Sequence, residues 1–206
     1  MKIEYARVGI LGTNFYVITD EETGISAVVD PGADFSELQE YVKGKNIKYI
    51  LITHAHYDHL FGTAEMKRQT GALAVVGKDD EENMWNIEKC NAGMNFRVLQ
   101  EPTEAEIVVK DGDELNVGNI KIKVIETPGH SHGSVCYVLT EEKVIFSGDT
   151  LFYHTVGRYD FPESSPEKMA GSLEKLVALD GDYKVFPGHG QFTTLDEERK
   201  NNLYLR

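Results

Sequence analysis

Four apolar runs in this chain each lead, through at most a short turn, into a side chain able to bind a metal ion. They are Tyr49-Ile50-Leu51-Ile52-Thr53 before His54, Ile122-Lys123-Val124-Ile125-Glu126-Thr127-Pro128-Gly129 before His130, Val144-Ile145-Phe146-Ser147-Gly148 before Asp149, and Tyr183-Lys184-Val185-Phe186-Pro187-Gly188 before His189. A fold that gathers these loops needs strands lying side by side with their carboxyl ends at one edge, where open α/β proteins build their sites. Glycines at 129, 148 and 188 let the backbone turn sharply just ahead of three of the ligands.

The first loop is the densest, with His54-Ala55-His56-Tyr57-Asp58-His59 placing three imidazoles and a carboxylate within six residues. Neutral imidazole and carboxylate oxygen are ligands for borderline divalent metals, and crowding them without a cation would be costly. A polar surface loop is the alternative, which a lone His would favour and this grouping does not. Together the loops offer up to seven ligands, His54, His56, Asp58, His59, His130, Asp149 and His189, enough for two metals sharing one carboxylate.

The rest of the chain sets the limits. With 206 residues, 41% of them apolar, residues 1–206 read as one domain with a sizeable core. Its 21 Lys and Arg against 34 Asp and Glu give a net charge of −13, which repels phosphate backbones and excludes nucleic acid as an expected partner. No apolar stretch approaches the length of a membrane span, and charges interrupt the first residues where a signal peptide needs an apolar core, so a cytoplasmic protein is expected. Its two cysteines, Cys90 and Cys136, form no metal-type pair, and Cys136 reads as a buried strand residue.

β-Branched and aromatic runs predict strands at residues 3–8, 14–19 and 25–29. Asp30-Pro31-Gly32 breaks the pattern, and Ser36 or Asp34 caps a helix carrying Phe35, Leu38, Tyr41 and Val42, which Gly44 and Asn46 end. Residues 60–70 read as a helix closed by Gly71, followed by a strand at 72–76. Asp79-Asp80-Glu81-Glu82 suits the first turn of a helix towards Cys90, though a solvated acidic surface accounts for it as well; Trp85 is assigned to the core. From residue 107 the period is two, with a hairpin turn at Gly118-Asn119 and strands at 115–117, 120–125, 134–139 and 144–147. Ser165 and Pro166 start a helix that carries Met169, Leu173, Leu176 and Val177 and ends near Gly181; Thr194 and Glu197 form a capping box for a last one.

The motifs HAHYDH at 54–59, TPGH at 127–130, SGDT at 147–150 and PGHG at 187–190 resemble the metallo-β-lactamase superfamily. Gly148-Asp149-Thr150-Leu151-Phe152, Gly157-Arg158-Tyr159-Asp160 and the closing PGHGxxTT look like its glyoxalase-II-like branch, in particular the short single-domain members. The resemblance implies an α/β fold, an αββα four-layer sandwich of two mixed sheets with helices outside. It also implies a binuclear centre, with His54, His56 and His130 on one metal, Asp58, His59 and His189 on the other, and Asp149 between them. The metals would be zinc, with iron or manganese as alternatives. Two cations lower the pKa of a shared water towards neutrality, so a bridging hydroxide is the expected nucleophile, oriented by Asp58, and no Ser or Cys is required.

Leu60-Phe61-Gly62 stands where the family usually has two glycines, and Pro162-Glu163-Ser164-Ser165 replaces a commonly Gly-rich loop. Full-length glyoxalase II enzymes hold glutathione with basic residues of a C-terminal helical extension, and as this chain ends at Arg206, glutathione binding through such contacts is not expected. No cysteine occupies the second-metal position, unlike in many lactamases, which argues against penicillin-type chemistry. Arg158, Tyr57 and His154 are candidate substrate contacts; Arg158 is weighed against a structural pairing with Asp160, and His132 and Tyr153 are placed beside the site. The function expected is metal-dependent hydrolysis of a small acyl compound, a thioester first, by a monomer or small homo-oligomer. The alternatives are a mononuclear iron persulfide dioxygenase using His54, His130 and Asp149, and a non-catalytic metal-stabilised domain. The acidic charge counts against the nuclease members.

Overall fold

A computed structural model describes residues 1–86 and 100–205. The first sheet is laid down in chain order by β1 (Lys2–Val8), β2 (Thr13–Thr19), β3 (Ile25–Val29), β4 (Asn46–Leu51), β5 (Leu73–Gly77) and β6 (Ile107–Val109). Its first three strands are antiparallel, and β3 to β6 run parallel, joined by crossovers. β7 (Glu114–Val117), β8 (Ile120–Glu126), β9 (Val135–Leu139) and β10 (Val144–Gly148) begin the second sheet. A ribbon of β11 (Leu151–Phe152) and β12 (Thr155–Val156) follows, before β13 (Lys184–Pro187) and β14 (Thr193–Thr194) complete that sheet in the order β14-β13-β10-β9-β8-β7.

Alternation along the strands dictates the layers. In β2, Tyr16 and Ile18 face a cluster shared with Val124, Tyr137 and Phe146 of the second sheet, while Phe15 and Val17 face the other way. That outer face is covered by α1 (Phe35–Val42) and α3 (Thr63–Thr70), through Leu38, Val42 and Met66. α2 (Tyr57–Leu60) lies between them in the chain and contributes Leu60. On the far side, Cys136, Val138, Ile145 and Val185 meet Met169, Leu173 and Leu176 of α4 (Pro166–Val177) and Leu195 of α5 (Leu195–Asn201). The result is the expected αββα sandwich, two mixed sheets with helices outside. Strand residues such as Val124, Ile145 and Val185 are fully buried, and each stabilises the fold by about 1.5–3 kcal/mol relative to exposure.

The helix expected at 60–70 begins only at Thr63, and a separate single turn, α2, precedes it. The backbone N–H of Gly62 donates to Pro31 O at 2.7 Å, and this close approach of the Asp-Pro-Gly segment leaves no continuous helix between α2 and α3. Gly71 closes α3 as expected. α4 starts with Ser165 accepting from Lys168 N and stops at Val177, short of Gly181, where Arg199 of α5 donates to the carbonyls of Val177, Leu179 and Gly181. Only half of the expected capping box forms: Thr194 accepts from Glu197 N, but the Glu197 carboxylate turns to His154. The Asp79–Glu82 stretch lies in a 3-10 segment, Lys78–Met84, and its extension towards Cys90 lies outside the described residues.

Two expectations here are corrected. Trp85 is 48% exposed, because the 3-10 turn spends its inward position on Met84. Asp80 is fully buried rather than solvated, with consequences for the site below. At the hairpin tip Gly118 has φ +60° and a Cβ there would lie 2.2 Å from Asp20 Oδ2. Gly118→Ala is therefore expected to cost about 1–2 kcal/mol of stability in urea unfolding. No described helix is long and apolar enough to cross a membrane.

Candidate metal centre

β10 and β13 are parallel, and β8 shares their direction because both β8 and β10 are antiparallel to β9. Their carboxyl ends deliver His130, Asp149 and His189 to one edge, where β4 of the facing sheet delivers the loop of His54 to His59. All seven side chains singled out in the sequence come together there. One group consists of His54, His56 and His130, another of Asp58, His59 and His189, and a third, overlapping both, of His54, His59 and Asp149; within each, the donor atoms lie within 4.8 Å of one another. His130 Nε2 is 2.9 Å from His56 Nδ1, and His59 Nε2 is 3.2 Å from His189 Nε2. Asp149 reaches both sides, with Oδ2 3.5 Å from His130 Nε2 and 3.7 Å from His189 Nε2, and Oδ1 3.5 Å from His59 Nε2. Gly188 makes this approach possible, since a Cβ there would lie 2.3 Å from Asp149 Oδ1 and 2.7 Å from His59 Cε1.

The outer nitrogens of the first group dictate what the inner ones present. His130 Nδ1 donates to the carbonyl of Arg158 at 2.7 Å, and His56 Nε2 donates to Glu163 Oε1 at 3.2 Å. Thr53 Oγ1 gives its own proton to Asp30 Oδ2 at 2.7 Å, so it accepts from His54 Nδ1 at 3.2 Å. Each ring is thereby fixed in the tautomer whose lone pair faces inward. His56 Nδ1 and His130 Nε2 then confront each other as two lone pairs, and buried His54 Nε2 and Asp149 Oδ1 find no hydrogen-bond partner among the described residues. Converging lone pairs with no donor between them fit a cation.

Electrostatics divides the cluster in the same way. Burial holds His54 far below the usual imidazole range, helped by repulsion from His59, His56 and His130, and burial lowers His130 to about 4. These imidazoles are neutral, as metal ligands must be. On the other side burial opposes the charge of His59, yet the carboxylates of Asp58, Asp149 and Asp30 raise it to about 10. Asp58 is itself lowered, against burial, by His59 and His189, and His189 is raised, again against burial, by its hydrogen bond to Asp58 and by the Asp149 carboxylate. The carboxylates around the second group thus hold protons on its imidazoles, which a bound cation would displace.

Behind the cluster stand residues that sequence reading did not identify. Asp30, read only as part of a breaker, is buried and accepts from Thr53 N at 2.8 Å, from Thr53 Oγ1, and from His59 Nδ1 at 2.9 Å. The available hint was an Asp directly after an apolar strand and before Pro31-Gly32; its φ is +50°, a conformation that Asp adopts more readily than most residues. Asp80 accepts from Ala55 N at 2.9 Å, Ser131 Oγ at 2.7 Å and Gly133 N at 2.8 Å, tying the first histidine loop to that of His130. Glu163 had no signal beyond its place in an atypical loop.

The candidate substrate contacts are variously engaged. Arg158 forms a two-pronged pair with Asp160 at 2.8 and 2.9 Å and lies over the Phe161 ring. Tyr57 is buried, and burial pushes its phenol up. His154 donates from Nε2 to Glu197 Oε1 at 2.7 Å and stacks on Tyr153, and His132 is exposed. Phe161 packs edge-on against His56 and His130 and Phe152 against His189, walling the cluster on two sides.

Comparison with known proteins places this arrangement. Hydroxyacylglutathione hydrolase GloC of Haemophilus influenzae is 28% identical over 210 residues, covering 100% of this chain and 98% of that protein. The crystal structure of the BLEG-1 B3 metallo-beta-lactamase superposes with a TM-score of 0.93 at 27% identity, covering 99% of each chain. TTHA1623, solved in a di-iron-bound form, gives a TM-score of 0.86 at 29% identity over 98% of this chain and 100% of that one. A family model described as the metallo-beta-lactamase superfamily matches residues 8–189, a span that contains all four ligand loops. On motif order, layer architecture and this match, the chain belongs to the metallo-β-lactamase superfamily.

Proposed function

We propose that this chain is a two-metal hydrolase of a small acyl substrate, with thioesters the first class to consider. The observation that carries the reading is the pair of donor groups sharing Asp149 between them. His54, His56 and His130 would hold one cation, Asp58, His59 and His189 the other, and Asp149 would contact both. Zinc suits the donor set, and the di-iron form of TTHA1623 keeps iron beside it. Bound there, two divalent cations supply a water acidic enough to attack at neutral pH and a Lewis acid for the acyl carbonyl.

The chain's own residues do the rest. Thr13 Oγ1 donates to Asp58 Oδ2 at 3.2 Å and fixes the carboxylate best placed to orient an attacking water. Phe161 and Phe152 keep bulk water from the cluster and offer apolar contact to an acyl chain. Arg158 would meet a substrate carboxylate only by leaving Asp160, and His154 only by leaving Glu197. Tyr57, on the first histidine loop, is buried and would meet a substrate only if its ring were uncovered.

Similarity to GloC along almost the whole chain favours the thioester over other acyl compounds. Similarity to a B3 metallo-beta-lactamase puts β-lactams among the substrates to assay, although no cysteine stands in the donor set. A single-iron persulfide oxygenase would leave Asp58, His59 and His189 without a purpose, which favours the hydrolase. We expect purified protein to carry close to two metals per chain and to hydrolyse S-lactoylglutathione or a simpler thioester. Chelation should abolish turnover and divalent metal restore it. Two bound metals with no turnover of any thioester would sink the substrate class; one iron per chain with oxygen uptake on a persulfide would sink the hydrolase.

A further inference from the structure

The two donor groups differ in what holds their outer nitrogens. His59 of the second group is held by Asp30, fully buried beneath the sheet edge. His56 and His130 of the first group are held by Glu163 and by the carbonyl of Arg158, both on the loop of residues 157–165 between β12 and α4. The same loop is pinned to the histidine it serves, because Ser164 Oγ donates to His130 O at 2.6 Å and Ser165 N to Gly129 O at 2.9 Å. Glu163 itself is about four-fifths buried, and its side chain is 21% exposed against 3% for His56.

We propose that Glu163 is a positioning residue of the first metal subsite, fixing the His56 tautomer and orientation and so setting how tightly that subsite holds its cation. The inference rests on the two-metal reading above. A carboxylate behind a ligating imidazole holds the ring and raises its basicity, and losing such a partner typically weakens metal binding by about 10–100-fold. Without Glu163, His56 can present either nitrogen and either tautomer, and the inward lone pair is no longer enforced. Because the acceptor sits on a surface loop, the first subsite would be the one whose occupancy follows the loop, while Asp30 keeps the second independent of it.

The test is zinc competition against a chromophoric chelator, which resolves two binding events per chain in the wild type. Glu163→Ala should weaken one of the two by about 10–100-fold and leave the other unchanged. Glu163→Gln, whose amide oxygen still accepts from His56 Nε2, should recover most of the loss. The thermal midpoint of metal-free Glu163→Ala should match that of the metal-free wild type, separating this role from a merely structural one. Equal zinc affinity in wild type and Glu163→Ala would overturn the assignment of Glu163 alone. A loss spread over both events, or one that Glu163→Gln fails to recover, would also overturn it. A wild type that binds no zinc or only one equivalent would overturn the two-metal reading and this inference with it.

Discussion

Asp80→Ala should lower the free energy of unfolding by about 3–4 kcal/mol, a loss to be read from the urea midpoint at unchanged slope. The fully buried carboxylate accepts from two backbone N–H groups, Ala55 and Gly133, and from Ser131 Oγ. Hydrogen bonds to a charged acceptor contribute about 1.5–3 kcal/mol each, less when summed at one site, and their removal strands two buried donors that water cannot reach. Alanine also leaves a void between the His54–His59 loop and the His130 loop, so metal affinity should fall along with stability. Asp80→Asn keeps the shape but turns an N–H₂ towards one of those donors, and it should recover only part of the loss. A change below about 1 kcal/mol in Asp80→Ala would show that the two loops are held together by something else.

The example of Asp80 also shows where the sequence stops being legible. The four apolar runs could be read directly, because strand alternation and the glycines before three of the ligands are local signals. From them the ligand loops and the seven candidate ligands followed, while the αββα layers were implied by the resemblance of the motifs to a known family. Asp30, Asp80 and Glu163 could not be found this way, since each acts on a partner distant in the chain, 23 to 107 residues away in their hydrogen bonds. An acidic run such as Asp79-Asp80-Glu81-Glu82 looks solvated unless the donors that face one member of it are known. The ribbon β11–β12 and strand β14 are two residues long each, too short for any period to register. The break between α2 and α3 likewise depends on Pro31 O, which lies on a segment that sequence periodicity does not bring near Gly62.

Asp149→Ala is expected to reduce hydrolysis by at least about 10³-fold and to lower the metal content at both subsites, not at one. Among the clustered carboxylates, Asp149 is the one placed between the groups: Oδ2 lies 3.5 Å from His130 Nε2 on one side and 3.7 Å from His189 Nε2 on the other. Asp58 by contrast lies against two members of the second group, His59 and His189, at 3.5 and 3.2 Å. On the two-metal reading proposed above, removing Asp149 would take a ligand from each cation and the negative charge that offsets their mutual repulsion, so the second metal should be lost with the first. His189→Ala supplies the contrast, because it strips one ligand from one group and should empty that subsite while His54, His56 and His130 keep theirs. Metal analysis of the two variants side by side decides the matter. If Asp149→Ala retained one tightly bound cation while His189→Ala retained none, the bridging position would belong to the second group instead, and the division of the seven side chains proposed here would have to be redrawn.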